Sequence, residues 1–531
     1  MDAGKKQKSA EHRRQVAVID IGTSAIRMEI AEIDSAGHVH SLEALQHPVS
    51  LGKDTFASGK IESDTIEECV SILKGFRRVL RDYGLDDPAA IRAVATSSVR
   101  EAANRQIFLN RIQIAAHIKV ELIDEAEVNR LTYIAVRDDL EKWGGLDEHD
   151  TLIAEVGGGS TEVLLVQEKH VTLSRSYRLG ALRMRETLDA HRTPARRMPT
   201  ILNRHIQQSV DQIHRAIPPD PVQRLIALGG DVRLAVDELA PEHADDRLVS
   251  ISLQRFYSFA KEVASLDVDD LVKQYHLAYQ DAETLGPALL AYARLADSFE
   301  VQELLISKVS LRDGLLLEMA TRSTWTDHFR DQVIYSAMNL GRKYDYEESH
   351  ALHVATLACH LFKELVDEHE LEPRYELILH VAAILHEIGL YVGNQSHHKH
   401  SYYLIVNSDL FGLSRRDIQL VALIARYHRR ATPKPTHAEY AGLPQADQLI
   451  VAKLAALLRV ADALDQNHMR QVRTLQCLRE PRRLILRIQG VQDLTLERIA
   501  LRDKGRLFFE TYGLTVEARR DLSSSGVRHG H

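Results

Sequence analysis

The chain has 531 residues with 44% hydrophobic and 27% charged content, too long for one hydrophobic core and apolar enough to fill several. A formal net charge of -8 argues against a surface that binds polyanions everywhere, so any phosphate-rich partner must meet a locally positive groove. Three widely separated cysteines, Cys69, Cys359 and Cys477, exclude a disulfide scaffold, and a polar, basic start from Met1 to Arg14 with no long apolar run later leads us to expect a cytoplasmic protein with a frayed tail and no membrane partner.

Val16 to Asp20 is a β-branched run ending in an acid, followed by Gly22-Thr23-Ser24 and a second run from Ile26 to Ile33, which predicts a strand, a tight turn and a returning strand. Ile66, Val70, Leu73, Phe76 and Leu80 recur at helical spacing and Ile91 to Ala95 then reads as a strand, so the first part is an α/β lobe. Thr151 to Val156 repeats the opening pattern, with Glu155 as the acid, Gly157-Gly158-Gly159-Ser160-Thr161 as the turn and Val163 to Val166 as the return. Laying Asp20 on Glu155 puts Gly22 on Gly157, Ser24 on Gly159 and Arg27 on Glu162, an internal duplication of one supersecondary unit. A third turn, Gly229-Gly230, follows the strand-like Arg224 to Leu228, and Leu285 to Ala291 reads as a buried helix behind it.

Beyond Trp325 the pattern changes to long amphipathic helices, with His350, Val354, Leu357, Ala358 and Leu361 on one face. Strand-like runs at Leu484 to Ile488 and Leu514 to Ala518 around a helix from Leu494 predict a small, separate α+β unit, and Ser523 to His531 reads as a tail. The expected boundaries are a tail over 1–14, lobes over 15–140 and 141–322, a helical domain over 323–472 and the α+β unit over 473–531.

Backbone amides in a glycine-rich turn converge on an oxyanion because no Cβ blocks the approach. Three such turns, Gly22-Thr23-Ser24, Gly157 to Ser160 and Gly229-Gly230, suit a chain of phosphates. Asp20-Ile21-Gly22-Thr23-Ser24 with Arg27, then Thr96-Ser97-Ser98 with Arg100-Glu101-Ala102, then Gly157-Gly158-Gly159-Ser160-Thr161-Glu162, Gly229-Gly230, Glu283 to Ala288 and Leu311-Arg312-Asp313-Gly314 come in an order that resembles the exopolyphosphatase and guanosine pentaphosphate phosphohydrolase family, from Asp20 to Gly314.

The resemblance implies two actin-like, ribonuclease H-like lobes that hold inorganic polyphosphate, guanosine pentaphosphate or guanosine tetraphosphate in the cleft between them, where a water assisted by Mg2+ or Mn2+ attacks the terminal phosphoryl group. Phosphoryl transfer needs positioning and neutralisation of the phosphoryl oxygens, which the glycine amides, Ser97, Arg27 and Arg100 would supply. Asp20 and Glu155 would hold the metal, although Glu155 stands where the family has Asp, and Glu155 and Glu162, by strand alternation, need not face the same side. The family's Gly-x-Glu-Glu-Ala-Arg stretch falls on Glu125-Ala126-Glu127-Val128-Asn129-Arg130, where the second glutamate, the family's catalytic base, is Val128. Loss of a general base costs about 10²- to 10⁴-fold in rate. The candidate catalytic residues are therefore Glu127, Glu162 and Arg100, and two replacements for the base are open: Glu127 or Glu125 takes the role after a small register change, or the phosphate itself accepts the proton.

In the helical domain His350, the pair His386-Glu387 and Asp462 resemble the metal-binding pattern of HD phosphohydrolases, with Glu387 one methylene longer than the usual acid. Arg426-Tyr427-His428-Arg429-Arg430 and His397-His398-Lys399-His400 predict a basic surface there. Terminal phosphate release in the lobe cleft is the leading reading. Its rivals are a catalytically silent binder of polyphosphate or guanosine tetraphosphate, chemistry centred on the HD-like domain, and an actin-like sugar kinase. A homodimer is expected, and DNA is not an expected partner.

Overall fold

The computed structural model describes residues 13–142, 149–190, 198–217, 222–244, 246–321 and 326–521. The rest of the two expected tails lies outside these residues, and Arg14, expected in the first tail, opens a strand instead. The chain divides into two compact units, residues 1–324 and 325–531.

The first unit holds two mixed sheets. β1 (Arg14–Ile21), β2 (Ala25–Ile33), β3 (Val39–Pro48), β4 (Ile91–Ala95) and β5 (Val120–Leu122) lie in the order β3-β2-β1-β4-β5. β1 is buried on both faces, which is why its sequence is continuously apolar from Val16 to Ile19 and not alternating. Its alternate side chains serve two cores. Ala17, Ile19 and Ile21 pack with Ile66, Val70, Leu73, Phe76 and Leu80 of the helix Ser63–Asp82, and Val16 and Val18 pack with Leu311, Leu315 and Leu316.

β6 (Thr151–Val156), β7 (Thr161–Gln167), β8 (His170–Tyr177), β9 (Arg224–Leu228), β10 (Leu248–Ser252) and β11 (Glu303–Ser307) form the second sheet, in the order β10-β11-β9-β6-β7-β8. Read from the other edge, β8-β7-β6-β9-β11 repeats β3-β2-β1-β4-β5, with β10 added antiparallel at the edge. The duplication inferred from two acid-glycine turns is thus a duplication of whole sheets. The helix Tyr279–Ser298, predicted from Leu285 to Ala291, is buried along most of its length in the second lobe's core.

The lobe boundaries differ from those expected. The helix Glu125–Lys142 runs through the boundary at 140, and the helix Leu311–Thr321, assigned to the second lobe, crosses back to pack its leucines on β1 of the first. Its Glu318 sits beside the fully buried Arg130 at 2.7 Å and also pairs with Arg92. Nothing in the local sequence encodes that return. It is fixed by which apolar face remains uncovered.

In the second unit the helices Asp327–Lys343, Glu348–Glu364, Arg374–Leu385, His397–Val406, Arg415–Arg426 and Gln445–Ala463 pack around a leucine- and alanine-rich core. β12 (Leu475–Glu480), missed because it is short and half-exposed, pairs antiparallel with β13 (Arg483–Ile488), and β13 pairs parallel with β14 (Thr515–Arg520). This sheet is not a separate unit as expected, because the helices Thr495–Lys504 and Arg506–Tyr512 beside it pack on Gln445–Ala463, and Tyr512 donates a 3.1 Å hydrogen bond to the Lys453 carbonyl. Among the described residues no helix is long and apolar enough to cross a membrane.

Glu318 shares Arg130 with Glu127, so removing it takes away a charge-assisted hydrogen bond without orphaning the guanidinium. Glu318→Ala should therefore destabilise the first unit by about 2 kcal/mol, read as a lower transition in calorimetry; an unchanged melting profile would show that the helix is not held by this pair.

Candidate active site in the lobe cleft

The two hairpins that open the lobes are built alike down to single bonds. In β1–β2 Asp20 stands directly opposite Arg27, and the turn closes with Gly22 N donating to the Ala25 carbonyl at 3.0 Å. In β6–β7 Glu155 stands directly opposite Glu162, and Gly157 N donates to the Ser160 carbonyl at 2.8 Å. Directly paired residues share a sheet face, so Glu155 and Glu162 do point the same way. The expectation that they need not overlooked that the six residues between them return the chain in direct register.

The turns meet. A Cβ on Gly158 would lie 2.9 Å from Thr23 Cγ2, and one on Gly159 would lie 2.5 Å from Ser97 Oγ, so only glycine lets the second turn close on the first. Arg183 holds the approach: its Nε donates to the Gly159 carbonyl at 2.6 Å, its guanidinium pairs with Glu101 at 2.5 Å, and it lies 4.1 Å above the Phe56 ring. Beneath the floor, Tyr292 accepts from Val156 N at 2.6 Å and donates to the Leu228 carbonyl, tying the ends of β6 and β9 together.

Between the turns lies a cleft of about 610 Å³. Its walls carry Asp20, Gly22, Thr23, Ser24, Arg27, Ser97, Arg100, Glu155, Gly157, Gly158, Gly159, Ser160, Glu162, Gly229 and Gly230. Gly230 begins the helix Gly230–Leu239, whose amide end adds a positive dipole. Six further charged residues line it that sequence reading did not assign to the site: Asp231, Arg233, Asp237, Asp281, Lys308 and Arg312. Asp231 directly follows the third glycine turn, and Lys308 and Arg312 lie within the closing stretch from Ser307 to Gly314, so these were within reach of the sequence; Arg233 carried no signal.

Residues 30–323 match the Ppx/GppA phosphatase family and residues 334–504 match Ppx/GppA phosphatase domain III. The chain belongs to the Ppx/GppA phosphatase family. It is 24% identical over 454 residues to a guanosine-5'-triphosphate,3'-diphosphate pyrophosphatase of Photobacterium profundum, covering 83% of this chain and 86% of that one. A second protein of that name, from Pseudoalteromonas translucida, is 24% identical over 455 residues, covering 84% and 86%. Among solved structures, an exopolyphosphatase from Cytophaga hutchinsonii superposes with a TM-score of 0.52 at 21% identity over 58% of this chain and 98% of that one. The two lobes have the actin-like fold of these Ppx/GppA proteins.

Within this Ppx/GppA cleft, Val128 takes the wall position expected for the base. Glu127 does not replace it. Its carboxylate turns to Arg130 at 2.7 and 2.8 Å and to Arg92 at 3.3 Å, outside the cleft lining. Burial would raise its pKa, but the two guanidiniums hold it below the ordinary value, which makes it a weak proton acceptor. Glu125 pairs with Arg100 at 3.3 Å, and Arg100 also donates to the Ile123 carbonyl at 2.8 Å. Neither of the two glutamates expected to stand in lines the cleft.

The acids that do line it are strained toward protonation. Burial, then repulsion from Glu162, pushes Glu155 up to about 7, with Arg233 opposing. Burial, then Asp281, pushes Asp231 up to about 7. Burial also raises Asp20 against Arg27 and Arg312, and raises Glu162 against hydrogen bonds from Ser160 at 2.6 Å and Ser176 at 3.3 Å. Asp20, Glu155 and Asp231 all line the cleft, and carboxylate oxygens are the hard donors that suit a divalent cation such as Mg2+.

In the second unit His350, His386, Glu387 and Asp462 come together: His350 Nε2 lies 3.9 Å from Glu387 and 4.0 Å from Asp462, and His386 Nε2 lies 4.0 Å from Asp462. The expected basic surface is smaller than its sequence, because Tyr427, His428 and His397 turn inward and leave Arg429, Arg430 and Lys399 outside.

Raised folded-state pKa values mean that ionising Glu155 and Asp231 costs stability, which falls as pH rises from about 4.5 through about 7. A divalent cation among these acids no longer has to displace protons above that range. Mg2+ should therefore raise the melting temperature of the first unit more at about pH 8 than at about pH 6; an equal or smaller rise at the higher pH would contradict a cation bound there.

Proposed function

We propose that the lobe cleft releases the terminal phosphoryl group of a phosphoanhydride chain, inorganic polyphosphate or guanosine pentaphosphate, by attack of water. The observation that carries this reading is the face-to-face meeting of the Thr23 and Gly158 turns in a cleft lined with arginine, lysine and buried carboxylates. Converging amides suit phosphate oxygens, and a single small anion would not need turns from both lobes.

The turns Gly22 to Ser24 and Gly157 to Ser160, with Gly229 and Gly230 at a helix end, bind the phosphates. Arg27, Arg100, Arg233, Lys308 and Arg312 balance their charge. Asp20 and Glu155 are the residues that would hold Mg2+ or Mn2+, which would supply neutralisation of the phosphoryl oxygens and orientation of the reacting groups. Glu162, fixed by Ser160 and Ser176 and pushed up in pKa by burial, is the proton acceptor. The water oxygen bonds to the terminal phosphorus, its proton passes to Glu162, and the bridging P–O bond breaks to leave a chain shorter by one phosphate.

Val128 favours a second reading, in which the cleft binds the same anions with little turnover, because an apolar wall at that place accepts no proton. Phosphate release from polyphosphate and from guanosine pentaphosphate with Mg2+ separates the two. The hydrolytic reading expects release that falls about 10²-fold or more in Glu162→Gln and rises at least about 10-fold in Val128→Glu. Tight binding of either anion without release would select the second reading, and neither binding nor release would reject both.

A further inference from the structure

Five helix ends converge in the second unit and bring four imidazoles into one buried cluster. His350 lies in the first turn of Glu348–Glu364, His386 and Glu387 follow Arg374–Leu385, His397 opens His397–Val406, His428 follows Arg415–Arg426, and Asp462 lies in the last turn of Gln445–Ala463. All four histidines are buried.

Their ring nitrogens are used in one consistent way. His350 Nδ1 lies 2.8 Å from the Asp465 carboxylate, His386 Nδ1 2.7 Å from the Ala383 carbonyl, His428 Nδ1 2.6 Å from the Ala425 carbonyl and His397 Nδ1 3.3 Å from the Asn394 carbonyl. Carbonyl and carboxylate oxygens only accept, so each Nδ1 carries its proton and each neutral ring presents a bare Nε2 lone pair inward. An imidazole anchored through Nδ1 in this manner is the arrangement that fixes a metal ligand.

The inward nitrogens lack the partners a packed core would provide. Nε2 of His350 and Nε2 of His386 have no hydrogen bond, although these side chains are 1% and 0% exposed. Nε2 of His397 and Nε2 of His428 face each other at 3.1 Å, so two neutral rings each protonated on Nδ1 would set lone pair against lone pair. Both conditions are unfavourable in a buried site unless a cation stands among the nitrogens.

The acids complete two sets. His350, His386 and Asp462 offer ligand atoms all within 4.8 Å of one another, and so do His397, His428 and Glu387. Two ligands each about 2.1 Å from a shared ion lie about 3 to 4 Å apart, which accommodates the 3.1 Å separation of His397 and His428 in one set and the 4.0 Å separations of His350 and His386 from Asp462 in the other. Lys504 takes the outer Asp462 oxygen at 2.6 Å and leaves Oδ1 to the imidazoles. Glu387 also approaches His350 and so stands between the sets.

We propose that the second unit holds two divalent transition-metal ions, one on His350, His386 and Asp462 and one on His397, His428 and Glu387. Four neutral imidazoles select zinc, iron, cobalt or nickel over magnesium and calcium. This centre is independent of the lobe cleft, whose candidate ligands are all oxygens.

The test counts ions in the full chain. Protein stripped with chelator, reloaded with Co2+ or Zn2+ and desalted should retain about two equivalents by elemental analysis, with the intense visible bands of nitrogen-bound Co2+. Glu155→Gln should retain the same number. His386→Gln and His428→Gln should each lose about one equivalent while keeping wild-type circular dichroism. Retention of fewer than two equivalents by the wild type, or no loss in either histidine variant, would overturn the proposal. If a variant fails to fold, the wild-type count and spectrum decide alone.

Discussion

A carboxylate taken out of water loses several kcal/mol of hydration unless cations or donors replace it. At the ends of β1 and β6, and at the start of the helix after β9, three such groups, Asp20, Glu155 and Asp231, line one cleft. Burial pushes Glu155 and Asp231 up to about 7, the cost of keeping them there. The arginines around them, the glycine amides above them and the Tyr292 clamp below them follow from that constraint: each supplies positive potential or fixes the backbone that carries an acid.

Duplication explains how one constraint organises two lobes. The same strand order, the same acid before the turn and the same amide-to-carbonyl closure recur, but the residue opposite the acid differs, arginine in the first hairpin and glutamate in the second. Facing one another, the copies give the cleft a cationic side at Arg27 and an acidic side at Glu162. Glycine at 158 and 159 is what lets them close, since any side chain there would meet Thr23 or Ser97.

Much of this was legible in the sequence because the information is local. An apolar run ending in an acid before glycines dictates strand and turn, so the glycine turns with Asp20 and Glu155 were legible from local pattern, whereas Arg100 and Glu162 came through the family resemblance and the direct pairing of Glu155 with Glu162 was not read. What was missed is non-local. Glu127 and Val128 are neighbours on a helix, and which of them faces the cleft depends on Arg92 and Arg130 capturing the glutamate. The return of Leu311–Thr321 to the first lobe depends on an uncovered face of β1. In the second unit the same holds for His397 and His428, read from sequence as surface charge and found buried, each with Nδ1 on a backbone carbonyl three residues earlier.

The central claim, that amide turns from both lobes grip one oligophosphate, is tested most directly by a crystal structure with a slowly hydrolysed tripolyphosphate analogue and Mg2+. It should show a single chain whose oxygens contact amides of both residues 22–24 and residues 157–160. Phosphates bound to one turn alone, or outside the cleft, would contradict it.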